Sequence, residues 1–260
     1  MEVHAMRRIA IIGHSITHKL LIEEIRKNDP DSEIEVFMPE GELPFAQNAL
    51  AEVLAQRKSW SDITTVPLQF YAQAQVKICT SKIMRMNINR RRLITEDKNT
   101  HAYDALVLAN LGALAEESLK GTNKRGVVLI GQSGDYAQAV KDLPLSDTVF
   151  VQAPGLSGLR MVSALLPSGK EIFWSTPEKV ILADILQSET AQVLSHILTE
   201  AGVRILTDCS IESILGDADM KAVKLKDGKV YSAQMLFLEP DRADLRLLKE
   251  TDLKREKGLY

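Results

Sequence analysis

The chain has 260 residues, 45% of them hydrophobic and 26% charged, with a formal net charge of -3. That balance suits one large or two modest globular domains, long enough to bury a core without disulfides or metals. It gives no electrostatic reason to expect nucleic acid or an anionic membrane as partner, and no apolar run is long enough to span a bilayer.

The N-terminal "MEVHAMRR" leads straight into a strand and lacks the apolar core of a signal peptide, so a cytoplasmic setting is expected. Ile9 to Ile12 is a short, wholly apolar run, as in a central parallel strand. "GHSITH" turns the chain, and Lys19 to Lys27 has helical periodicity. "EIEVFM" alternates as a second strand, which completes a βαβ unit. Asn48 to Lys58 reads as a further helix. Val76–Cys79, Ile83–Ile88 and Arg92–Thr95 read as short strands, with "NRRR" a solvated hairpin turn. "YDALVLAN" returns to a buried parallel strand, and "EESLKGTNKRG" reads as a linker.

The second half repeats the grammar. "TVFVQAPGLSGLRMVSALLPSGKEIFWST" is strand, glycine turn, helix, strand. "SETAQVLSHILTEAG" is an amphipathic helix with Ala191, Val193, Leu194, Ile197 and Leu198 apolar and Gly202 as its C-terminal cap. Several strands follow, with "KDGK" a hairpin turn. The two cysteines, Cys79 and Cys209, form no C-x-x-C and read as small apolar residues in or beside strands.

The ordered set "AIIG", "EIEVFMPEGELPF", "AYDALVLAN", "GVVLIGQSGDYAQAVKDL", "VFVQAPGLSG", "SETAQVLSHILTEAGVRIL" and "AVKLKDGKVYSAQMLFLEP" resembles the FAD-dependent pyridine-nucleotide oxidoreductases. The similarity runs from about Arg7 to Leu248 and is greatest to the branch of NADH:rubredoxin reductases, NADH oxidases and the flavin part of assimilatory nitrite reductases. It implies an α/β fold of two tandem Rossmann-like FAD/NAD(P)-binding domains with parallel central sheets. The expected division is a FAD-binding-like domain over 1–120, an NAD(P)-binding-like domain over 121–240, and a tail over 241–260. It also implies hydride transfer from NAD(P)H on the second domain to FAD on the first.

A dinucleotide loop uses three glycines, for the tight turn, for backbone approach to the pyrophosphate, and for close packing of helix on strand. In the first domain these positions are Gly13, Ser15 and His18, so only the turn glycine remains. Ser15 could still face a phosphate, whereas His18 is bulky and is expected to push the helix off the strand. Glu40 falls where the family places an acid on the adenosine ribose. "PFAQNALAE" stands for the family's "PY-x-R-P-x-L-S-K", with Gln47 for the arginine and Glu52 near the lysine. Loss of tight FAD binding is the expectation.

In the second domain "APGLSG" puts Ala153, Gly155 and Gly158 at the three positions. Arg160 stands where the family commonly has an acid near the nicotinamide. The ribose-binding acid would fall around Ser175 and Thr176, where no carboxylate stands, and Lys179 could meet a 2′-phosphate. "VLIGQSGD" is another glycine-containing turn, expected to be a surface connection without a ligand. The family's returning strand would begin where this sequence ends, at "KETDLKREKGLY". The first domain is therefore expected to be incomplete, its edge covered by a second copy or a partner protein.

Other chemistries fit less well. "GHSIT" lacks the second glycine of a serine-nucleophile elbow, and no base follows in the required order. His4, His14 and His18 have no helix-spaced carboxylates beside them, and no metal is expected. No residue stands out as catalytic. Two readings stay open: an NAD(P)H:FAD oxidoreductase with cofactor contacts at Gly13, Ser15, Glu40, Gly155 and Gly158, or a non-catalytic scaffold or regulatory subunit on the same fold.

Overall fold

The computed structural model of the chain describes residues 6–13, 16–38, 44–46, 49–109, 113–114, 119–130, 133–239, 242–243, 248 and 251. It divides into two compact units: Met1–Ala46, Thr64–Gly112 and Ala243–Tyr260 in the first, Gln47–Ile63 and Ala113–Arg242 in the second.

The first unit is built on β1 (Arg8–Ile12), α1 (Ile16–Asn28) and β2 (Glu33–Phe37). β3 (Val76–Cys79) and β7 (Ala105–Leu108) complete a parallel sheet in the order β3-β2-β1-β7. Alternation along the strands sends Ile9, Ile11, Ile34 and Val36 to one face. There they pack with Ile22 of α1 and Tyr71 of α4 (Leu68–Gln73). Ala10, Ile12 and Phe37 take the other face. It is covered by an antiparallel meander of β4 (Ile83–Asn87), β5 (Arg92–Thr95) and β6 (Thr100–Ala102), which contributes Ile83, Met86 and Leu93. The "NRRR" stretch makes the β4–β5 turn, where Arg90 N–H donates to Asn87 Oδ1. β7 differs from the buried strand expected of "YDALVLAN". It lies at the sheet edge with β1 as its neighbour, and Leu106, Val107 and Leu108 are only half-buried.

The second unit carries β9 (Val127–Leu129), α5 (Ser133–Asp142), β10 (Thr148–Gln152), α6 (Gly155–Leu165) and β11 (Glu171–Ser175). α7 (Ser188–Glu200), β12 (Val203–Leu206) and β16 (Met235–Leu238) complete its parallel sheet, ordered β12-β11-β10-β16-β9. An antiparallel sheet of β13 (Ile211–Gly216), β14 (Met220–Leu225) and β15 (Val230–Ser232) packs on one face. The shared core includes Phe150, Phe173, Leu236, Ile214 and Val223, with Tyr231 5.0 Å from the Phe173 ring. β8 (Ala113–Leu114) and β17 (Arg242–Ala243) pair as a two-stranded ribbon.

Four further expectations change. The helix read over 48–58 is only α2 (Leu50–Leu54), followed by α3 (Trp60–Ile63), because Gln56 at φ 56° turns the chain out of helix. α2 buries Leu50, Ala51, Val53 and Leu54 and packs on α5 and α6. The linker read over "EESLKGTNKRG" is tied down where it is described. Leu119 is buried, and Lys124 Nζ donates to the Gly216 and Asp217 carbonyls at 2.8 and 2.7 Å. "VLIGQSGD" opens as β9 rather than as a surface connection. On α7, Val193 and Ile197 stand 61% and 58% exposed, since the buried stripe runs through Ala191 and Leu198 instead.

Candidate nucleotide-binding sites

In the first unit Gly13 ends β1 at φ 102°, a backbone that favours glycine, and its N–H donates to the Phe37 carbonyl at 3.0 Å. Ser15 and Glu40 lie outside the described residues, as do Gln47, His4 and His14. His18 corrects the expectation of a displaced helix. It is fully buried, with Nε2 2.7 Å from the Tyr71 hydroxyl and the two rings stacked at 5.8 Å. One turn on, Ile22 remains packed on β1 and β2, so α1 stays seated with the imidazole inside. Burial pushes the Tyr71 pKa up and keeps the phenol protonated. In the second unit Glu52 is paired with Arg57 through bonds of 2.7 and 2.9 Å, and the Arg57 guanidinium holds its carboxyl below the usual range.

The second site is better formed. α6 begins directly after β10, with Gly155 at φ 63° and Pro154 as an N-cap that makes no side-chain cap hydrogen bond. A Cβ on Gly158 would lie 2.1 Å from the Ala153 oxygen and 2.6 Å from Trp174 Nε1. Gly158 is therefore the residue that lets α6 approach the sheet, as its position in the motif predicts. Gly155 and Gly158 thus share the head of one helix, whereas Gly13 belongs to the other unit.

Two carboxylates at this site were not read from the sequence. Glu239 follows β16, and its N–H donates to the Gln152 carbonyl at 2.9 Å. β10 and β16 are the neighbours at which the strand order reverses, the crevice where open α/β sheets take their ligands. There the Glu239 carboxylate accepts the Ser157 hydroxyl, within the first turn of α6. The helix dipole that would draw a phosphate draws this side chain instead. The second carboxylate is Glu178. Ser175 and Thr176 are buried, and the Thr176 hydroxyl donates to Glu178 Oε2 at 2.8 Å. A carboxylate therefore lies two residues beyond the strand-end position, across Pro177 in "STPE". Arg160 and Lys179 are exposed.

A third group lies in the first unit, where Glu35, Cys79 and His101 bring one ligand-type atom each within 4.8 Å of one another. Burial, with Glu35 and Asp97 nearby, pushes the Cys79 thiol up despite the Ser81 N–H, so Cys79 is not an activated nucleophile. No helix among the described residues is long and apolar enough to cross a membrane.

The sequence matches the family described as pyridine nucleotide-disulphide oxidoreductase over residues 7–258. The chain belongs to that family. It is 21% identical over 253 residues to the nitric oxide reductase FlRd-NAD(+) reductase of Vibrio vulnificus strain CMCP6, covering 96% of this chain and 66% of that protein. It is 24% identical over 257 residues to the NADH oxidase of Methanocaldococcus jannaschii, covering 95% of this chain and 57% of that one. Among solved structures, the water-forming NADH oxidase from Lactobacillus brevis superposes with a TM-score of 0.85 at 16% identity, covering 97% of this chain and 57% of that one. The fold is that of FAD/NAD-binding reductases, and the chain spans from 57% to 66% of the length of these proteins.

Proposed function

We propose that this chain is a non-catalytic scaffold or regulatory member of its family, one that keeps the two nucleotide-type folds and does not pass hydride from NAD(P)H to FAD. The observation that carries this reading is the Glu239 carboxylate on Ser157 at the head of α6. A dinucleotide pyrophosphate would bring two negative charges to that helix end, against a fixed carboxylate in a half-buried crevice. The loss of a glycine at Ser15 and of a cation at Gln47 supports the same reading for FAD. Visible absorbance of the purified protein, with calorimetric titration by NADH and NADPH, tests it. The expected result is no flavin bands and no heat from either nucleotide. Stoichiometric flavin, or saturable NAD(P)H binding by the unaltered protein, would overturn it.

A second reading is favoured by Gly155, Gly158 and Glu178, which together retain the shape of a dinucleotide cradle. On that reading the chain is an NAD(P)H-dependent flavoprotein oxidoreductase, and NADH would bleach a bound flavin. On either reading the half-buried edge of β7 suits a strand from a second copy or a partner protein. The domain limits near residues 120 and 240 and a cytoplasmic setting, with Cys79 and Cys209 as free thiols, belong to the same proposal.

A further inference from the structure

The first unit holds a set of metal-ligating side chains that neither nucleotide reading uses. β2 and β3 pair in parallel with Glu35 opposite Lys77 and Phe37 opposite Cys79. The two-residue period puts all four side chains on the face that the meander covers. β6 lays His101 over that face. Its ring stands edge-on to Phe37 at 5.1 Å, and Nδ1 is 3.0 Å from Glu35 Oε2. Cys79 completes the group, all three residues half-buried and their ligand atoms within 4.8 Å of one another.

We propose that Glu35, Cys79 and His101 form a three-ligand site for a zinc-class divalent cation. Tetrahedral Zn²⁺, with bonds of about 2.0–2.3 Å, sets its ligand atoms roughly 3.3–3.8 Å apart. No pair therefore has to close by more than about 1–1.5 Å, within the reach of side-chain rotation. One thiolate, one imidazole and one carboxylate is a donor set for Zn²⁺ or Co²⁺ and not for Ca²⁺ or Mg²⁺, which prefer all-oxygen shells.

The surroundings fit. Thr95 Oγ1 donates to Asp97 Oδ1 and so keeps a lone pair towards His101 Nε2, 3.5 Å away. That contact gives Nε2 an acceptor for the ring proton once Nδ1, which now faces Glu35, takes the metal. Lys77 Nζ lies 2.9 Å from Glu35 Oε1 and is the cation now balancing the carboxylate. Its side chain is 72% exposed, so it can swing into water when a metal arrives. Binding releases the Cys79 thiol proton to solvent, while the proton that His101 Nδ1 now donates to Glu35 moves to Nε2 and the imidazole stays neutral. Three protein ligands leave the fourth position for water or a small anion.

Cobalt titration of the metal-stripped protein is the test, read by absorbance. One equivalent of Co²⁺ should raise visible d–d bands and a near-ultraviolet thiolate-to-cobalt band, and Zn²⁺ should displace both. Cys79→Ser should remove the thiolate band, His101→Gln should weaken binding at least about tenfold, and Cys209→Ser should change nothing. Lys77→Met should tighten binding severalfold by removing the competing cation. Circular dichroism confirms that each variant is folded. Absence of the thiolate band in the unaltered protein, or its survival in Cys79→Ser, overturns the proposal. So does a Lys77→Met variant that binds Co²⁺ no more tightly.

Discussion

The Trp174 indole N–H donates to the Ala153 carbonyl oxygen at 2.8 Å in a fully buried setting, and the missing side chain of Gly158 leaves room for that bond. Gly158→Ala should therefore cost roughly 2–4 kcal/mol, combining overpacking with a disturbed buried hydrogen bond. Gly155→Ala meets open space and faces only the strain of φ 63°, about 1–2 kcal/mol. Urea unfolding of the two variants checks the order. Equal losses would mean that Gly158 does not set the approach of α6.

His18 and Tyr71 make the corresponding contact in the first unit, where glycine has been replaced. Tyr71→Phe removes the 2.7 Å bond to Nε2 and should cost about 1–2 kcal/mol near neutral pH. The folded-state pKa of Tyr71 is raised, so the folded protein holds that proton more tightly than the unfolded chain does. Its contribution is complete below the unfolded value of about 10 and is lost as pH rises towards the folded value. Alkaline unfolding should be less steep in Tyr71→Phe. An identical alkaline profile would show that Tyr71 does not carry that dependence.

Arg8 and Asp104 tie the start of β1 to the start of β7, with side-chain bonds of 3.1 and 2.9 Å and a backbone N–H bond of 2.9 Å. The Arg8 side chain, then its backbone N–H, lowers the Asp104 pKa to about 2. A depressed carboxylate stabilises above its unfolded pKa of about 3.9 and loses that contribution as pH falls through its folded value. Asp104→Asn should flatten the stability profile between about pH 4 and pH 2 and leave it little changed in slope above pH 5. Both side chains are exposed, so salt should weaken the effect. A chemical-denaturation series across that range measures it.

The strands and glycine turns were legible because their signals are local. Ile9–Ile12, the alternation of "EIEVFM" and the spacing of Gly155 and Gly158 each lie within a few residues. The features that decide the sites join distant segments. Glu239 reaches Ser157 across 82 positions, His101 reaches Glu35 across 66, and His18 reaches Tyr71 across 53. No periodicity reports such pairs, since they depend on which strands become neighbours. Glu178 was nearer to view, two residues beyond Thr176. The strand end itself carries no acid, because the chain continues through Pro177 before the Glu178 carboxylate turns back to Thr176.

On the two readings proposed for this site Glu239 would repel a dinucleotide and Glu178 would hold one, and variants separate them. Glu239→Gln keeps a hydrogen-bond acceptor for Ser157 and removes the charge at the head of α6. If that charge is what excludes the pyrophosphate, NADH affinity should rise about tenfold, equivalent to about 1.4 kcal/mol of relieved repulsion. Adding Glu178→Gln in the same background should then lower affinity again, because a ribose diol bonds more strongly to a carboxylate than to an amide. Trp174 lies in the strand leading to this site, so its quenching by NADH offers a readout alongside calorimetry. A Glu239→Gln protein that binds NADH no better than the parent places the obstacle elsewhere. A double variant that binds as well as Glu239→Gln removes Glu178 from the ribose site and leaves α6 as the part of the cradle still open to test.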